Sequence, residues 1–161
     1  MDALILIEPR IVNSQPLLLA GLRETMDQHA AQTIPLLWQK FVPFIGTTPH
    51  QVGHTCFGIC GASDASQQIF YYMAAIEVSD FTHLPQELSP LILPSQCYAV
   101  FPHNEHVSRI KETIDAVFDE WLPQASVTHA NQSLHFFERY TENYNPETGL
   151  GGMEIWLPIH K

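Results

Sequence analysis

Glu105-His106-Val107-Ser108-Arg109-Ile110-Lys111-Glu112-Thr113-Ile114-Asp115-Ala116-Val117-Phe118-Asp119-Glu120-Trp121-Leu122 is the stretch on which the fold turns. Ile110, Ile114, Val117, Phe118 and Trp121 fall on one stripe, while Lys111, Asp115 and Asp119 lie off it. That spacing predicts an amphipathic helix over 105–122. Pro123 stops it. Upstream, residues 96–102 carry the β-favouring Tyr98, Val100 and Phe101. Downstream, strands are expected at 134–140 and 153–159, joined across Asn145-Pro146-Glu147-Thr148-Gly149. The second half therefore reads strand-helix-strand-strand.

The first half repeats that order. An extended segment over 10–21 precedes a helix at 34–41, with Thr33 as its N-cap. Ile34, Leu37, Trp38, Phe41 and Ile45 share its apolar face. Pro35 suits a first turn, and Pro43 ends the helix. Strands at 54–60 and 69–78 follow, separated by Gly61-Ala62-Ser63-Asp64, and a Pro- and Leu-rich stretch over 80–95 links the halves. The expectation is one α+β domain over residues 1–161, with duplicated units related by a pseudo-twofold axis. Both helices would cover one face of an antiparallel sheet, with a ligand cleft between the units.

Composition narrows the function. The 161 residues are 45% hydrophobic and 15% charged, with a net charge of −10 from 7 basic and 17 acidic residues. Such a chain buries enough surface to fold. It lacks the clustered cations that phosphate contacts require, so direct nucleic-acid binding is not expected. Cys56, Cys60 and Cys97 form no disulfide framework, and the apolar start Leu4-Ile5-Leu6-Ile7 is too short for a signal or a membrane span. A soluble cytoplasmic protein is expected.

Strand alternation sorts the remaining residues. Over 153–158, Met153, Ile155 and Leu157 alternate with Glu154, Trp156 and Pro158. Over 70–78, Phe70, Tyr72, Ala74, Ile76 and Val78 alternate with Tyr71, Met73, Ala75 and Glu77. The aliphatic sets suit burial under helices. The other sets place Glu154, Trp156, Tyr71, Met73 and Glu77 on the opposite face, with Tyr98 as a further wall residue. A carboxylate among aromatics is costly unless protonated or paired, and aromatic faces attract cations by ~0.5–2 kcal/mol each. A flat lipophilic cation meets both conditions.

Several motifs occur in one order: Tyr98-Ala99-Val100-Phe101 with His103, Glu120-Trp121-Leu122-Pro123, Phe137-Glu138-Arg139-Tyr140, and Glu154-Ile155-Trp156-Leu157-Pro158-Ile159. This string resembles the GyrI-like small-molecule-binding domain, which also serves as the effector-binding domain of AraC-type and MerR-type regulators. The first half matches more loosely through Leu37-Trp38, Phe57-Gly58-Ile59-Cys60 and Ala75-Ile76-Glu77-Val78. The resemblance implies a cleft in which a buried glutamate meets cationic aromatic compounds, and Glu154 is the position most like it, with Glu77 second. It implies a stand-alone member without a DNA-reading module, binding a small molecule and having a possible regulatory protein partner. Two alternatives follow from the same resemblance: a glutamate-dependent hydrolase of electrophilic natural products, and a protein-binding modulator of a DNA enzyme such as gyrase.

Other constellations carry less. His54, Cys56 and Cys60 on one strand are strung out at ~6.6 Å per two residues, too far apart to share one tetrahedral metal. Cys97 with His103 and His106 lacks an oxyanion partner for nucleophilic catalysis. No glycine-rich phosphate loop is present, and no cofactor is implied. Trp38 and Trp121 lie on helix stripes and read as core.

Overall fold

A computed structural model of the chain describes residues 4–61, 69–130 and 134–161. Nine strands and two main helices follow in the order β1 (Arg10–Ser14), β2 (Leu17–Met26), α1 (Ala30–Phe41), β3 (Gln51–Gly61), β4 (Phe70–Val78), β5 (Ser89–Leu93), β6 (Gln96–His103), α2 (Ile110–Ala116), β7 (Thr128–His129), β8 (Leu134–Tyr140) and β9 (Met153–His160). The sheet is antiparallel in the order β1-β6-β9-β8-β3-β4-β2-β5, with β7 on β9. The architecture is the expected α+β one. Its strand order reads alike from both ends: β2, β4 and β3 in one half match β6, β9 and β8 in the other, and β3 pairs with β8 where they meet.

Short connections force the sheet to curl. Gln15 and Pro16 alone separate β1, at one end of the sheet, from β2 near the other. Pro94 and Ser95 alone separate β5 from β6 in the same way. Two intervening residues reach about 11 Å at most. The ends must therefore approach, and the sheet closes into a half-barrel. Its helix-free inner face holds Leu19, Phe57, Ile59, Met73, Leu93, Tyr98, Val100, Phe137 and Trp156 in one buried cluster, with Val12 and Leu91 from the edge strands against it.

The helices share the opposite face. Leu37 and Phe41 of α1 and Val117 after α2 join Ala20, Tyr72, Ile76, Ala99, Phe101, Ile155 and Leu157 in a second cluster. The β4 and β9 alternation thus resolves as expected, with the aliphatic sets under helices.

Four elements differ from the sequence reading. The 10–21 segment is two strands, because Pro16 sits at a crossing between sheet ends rather than within one strand. The 80–95 link contains β5, which pairs with β2. Helix α1 starts at Ala30, so Pro35 lies in its second turn, and the Thr33 hydroxyl bonds back to the His29 carbonyl at 3.0 Å instead of capping. The 105–122 helix is a composite: a 3-10 turn at Val107–Arg109, α2 proper, and a π-turn at Val117–Trp121, with Trp121 edge-on to Phe101. Pro123 does not end the run but lies inside a final 3-10 turn over Leu122–Gln124. Most of the Gly61-Ala62-Ser63-Asp64 turn lies outside the described residues.

Candidate functional site

The helix-covered face holds an acid among rings. Residues 136, 138 and 140 of β8 point to this face, and Glu138 is 7% exposed. The Tyr72 hydroxyl of β4 donates to Glu138 Oε1 at 2.8 Å, and the Tyr140 hydroxyl donates to the same oxygen at 2.9 Å. Trp38 of α1 donates its indole N–H to the Tyr72 oxygen at 3.0 Å. The indole stands edge-on to Tyr72, Tyr140 and Phe41, with ring centroids at 6.5, 5.9 and 6.0 Å. Tyr144, in the loop after β8, stands edge-on to Tyr140 at 5.1 Å.

The electrostatics of this box follow from burial. Loss of water pushes the Glu138 carboxyl above its ordinary 4.5, against the two phenol donors that favour the ionised form. Burial and the neighbouring Glu138 charge push the Tyr72 and Tyr140 phenols well above 10 and the Cys60 thiol well above 9. Among the described residues, no Arg, Lys or His forms an ion pair with Glu138. The acid therefore sits among indole and phenol groups with two hydrogen-bond donors and, among the described residues, no counter-cation.

The helix-free face holds the residues expected from alternation. Glu154 and Trp156 meet there, since the Trp156 N–H donates to Glu154 Oε1 at 3.0 Å. Arg139 reaches the same oxygen at 3.0 Å, and Arg10 reaches Oε2 at 2.8 Å. Burial raises the Glu154 carboxyl, but the indole N–H and the two guanidiniums together hold it below the usual range. Tyr98 packs edge-on to Trp156 at 5.3 Å, Phe137 stacks on Trp156 at 5.2 Å, and Met73 is buried in the same cluster. Tyr71 lies at the margin with the Arg23 guanidinium 3.8 Å above its ring. Glu77 pairs in register with Leu19 of β2, away from Glu154. The face is filled by its own side chains, and Glu154 has its countercharges within the chain.

Sequence reasoning passed over Glu138, although it quoted Phe137-Glu138-Arg139-Tyr140. The signal available was parity. Glu138 shares a face with Phe136 and Tyr140, and the two-residue step from Glu138 to Tyr140 marks a possible hydrogen-bonded pair. Two surface grooves of about 360 and 370 Å³ run along the N-terminal segment and α2, lined by residues such as Leu4, Pro102 and Glu112. Neither contains Glu138. The box is closed to solvent at Tyr72 and Glu138, which are 1% and 7% exposed.

The chain is 25% identical over 163 residues to the transcriptional regulator BrlR of Pseudomonas aeruginosa, covering 94% of this chain and 55% of that protein. It thus spans about half the length of that relative. The fold matches the structure of SAV2435 bound to tetraphenylphosphonium with a TM-score of 0.75 at 20% identity, over 96% of this chain and 94% of the other. A putative bacterial transcription regulation protein from Staphylococcus aureus MU50 matches with a TM-score of 0.72 at 18% identity, over 96% and 99% of the two chains. No helix among the described residues is long and apolar enough to cross a membrane. The model of the GyrI-like small molecule binding domain matches residues 7–160, and the chain with its half-barrel sheet and paired helices belongs to that family.

Proposed function

We propose that this domain binds a lipophilic aromatic cation with Glu138 as the charge partner and Trp38, Tyr72 and Tyr140 as ring walls. The single observation that carries this reading is the buried Glu138 carboxylate, held by two phenols and lacking an ion-pair partner among the described residues. The tetraphenylphosphonium bound to a protein of the same fold supports a cation as the ligand class. A regulator among the relatives supports a role as an effector-binding or drug-sequestering module linked to transcription.

Glu154 was the first candidate for the charge partner by alternation. Its two arginines already satisfy it, so an incoming cation would have to displace Arg10 or Arg139. At Glu138 the cation gains the full field of an unneutralised carboxylate in a low-dielectric setting. Admission of a ligand requires the rings of the box to part, and Trp38, anchored to Tyr72 by one hydrogen bond, is the wall supplied by a helix rather than by the sheet.

The test is calorimetric titration of tetraphenylphosphonium and the neutral triphenylphosphine oxide into wild-type protein and Glu138→Gln. Loss of a partly desolvated charge pair predicts roughly ten- to a hundredfold weaker binding of the cation, with the neutral compound changed less than about threefold. Equal losses for both compounds would sink the reading.

A further inference from the structure

Gly58 lies on β3 between the two strands that build the box, opposite Ala74 of β4 and Glu138 of β8. A Cβ at this position would stand 2.1 Å from the Tyr72 hydroxyl oxygen, 2.6 Å from Glu138 Oε1 and 2.8 Å from Tyr72 Cζ. Real Cβ atoms do not approach other atoms this closely, so a side chain and the Tyr72–Glu138 bond exclude each other. The backbone here needs no special conformation, since Gly58 is absent from the residues with positive φ. What the position requires is empty space. Tyr72 and Glu138 belong to strands that are not hydrogen-bonded to each other, and they meet only by leaning across β3.

We propose that Gly58 is a positioning residue of the cation site: its missing side chain is the socket in which the Tyr72 hydroxyl meets the Glu138 carboxylate. This rests on the reading of Glu138 as the charge partner. The groups facing Glu138 are Tyr72 of β4, Tyr140 of its own strand and the Cys60 thiol of β3, with the Trp38 N–H of α1 one bond further out. All three titratable neighbours are neutral near pH 7, because burial holds them protonated. The donors that favour the ionised form of Glu138 are therefore the two phenols. Removing the Tyr72 donor leaves one, and the acid then takes up its proton at a higher pH.

The experiment measures tetraphenylphosphonium affinity against pH for wild type, Gly58→Ala, Tyr72→Phe and the double variant, with thermal melting of each. Gly58→Ala should weaken the cation roughly tenfold at pH 7 and move the acid limb of binding to higher pH. Tyr72→Phe should move that limb in the same direction without inserting an atom. The double variant should melt higher than Gly58→Ala alone, since removing the hydroxyl relieves the nearest clash, and should bind no better than Tyr72→Phe. A Gly58→Ala protein with the wild-type pH profile would overturn the proposal. So would strictly additive melting losses, which remain readable if the single alanine variant folds poorly. Failure of the underlying reading looks different: wild-type protein would not bind the cation, or Glu138→Gln would bind it undiminished.

Discussion

Two glutamates on neighbouring strands of one sheet face opposite ways and live under opposite rules. Glu138 of β8 pairs in register with Ile155, one residue from Glu154 of β9. Glu138 enters the helix-covered layer, where phenols serve it and burial lifts its carboxyl upward. Glu154 enters the half-barrel side, where Arg10, Arg139 and the Trp156 N–H hold its carboxyl down. Both have tryptophan near them. Among the described residues, only Glu154 meets its countercharge in ion pairs. The lesson is that burial among aromatics does not by itself make a cation site, because what counts is whether the chain supplies the countercharge.

The sharpest way to break this contrast is to make the matched substitutions and measure tetraphenylphosphonium binding to both. Glu138→Gln should cost at least roughly ten times more affinity than Glu154→Gln. The reverse order would return the charge-partner role to Glu154.

Stability should separate the two acids by sign. The Glu138 carboxyl is raised in the fold, so its ionisation works against folding, and that burden appears as pH climbs from about 4.5 through the raised value. Glu154 is lowered, so its stabilisation is present above about 4.5 and is lost as pH falls through the lowered value. At pH 7 Glu154→Gln should lose on the order of 1–2 kcal/mol, about 3–6 °C in melting temperature, by leaving two guanidiniums without their acceptor. Glu138→Gln should melt unchanged or higher at pH 7. The Glu138 difference should vanish once pH falls below about 4.5, whereas the Glu154 difference persists until pH falls through its lowered value. Melting curves at pH 4 and 7 decide it, and a lower melting temperature for Glu138→Gln at pH 7 would mean that its charge is met inside the fold after all.

A smaller effect is expected at Tyr140. Tyr140→Phe removes one of two donors to Glu138 Oε1 and keeps the ring against Trp38. Cation affinity at pH 7 should fall by a few-fold, on the order of one neutral-to-charged hydrogen bond weakened by its surroundings, and the loss should grow as pH is lowered. A flat response to pH would show that Tyr140 contributes as a wall only.

The smallest effect belongs to the other face. Arg23→Ala removes the guanidinium above the Tyr71 ring at an exposed position, and cation affinity should stay within about twofold of wild type. A large loss would place part of the binding surface on the half-barrel side.

Much of the scaffold is legible in the sequence. The strands at β8 and β9 and the parity of β4 follow from alternation, because one face of each must lie under a helix and the period of two leaves little choice. The apolar stripe from Ile110 to Trp121 is equally plain, although its conversion to a π-turn is not, because periodicity cannot register one extra residue in a turn. The split of β1 from β2 was hidden because Gln15-Pro16 looks like an irregularity within one extended run. In the structure those two residues join opposite ends of a curled sheet.

The site divides in the same way. By itself the sequence determined only that Glu138 shares a side with Tyr140, and Glu154 with Trp156, since side chains two apart in a strand share a side. Which acid keeps an unmet charge was decided only by the tertiary structure. Arg10, Arg139, Tyr72, Trp38 and Gly58 come from five separate elements, and their meeting depends on strand order and curl, which no local pattern encodes. Coulomb energy and desolvation act through space over a few ångströms, so the chemistry of a carboxylate belongs to its neighbours in the fold rather than to its neighbours along the chain.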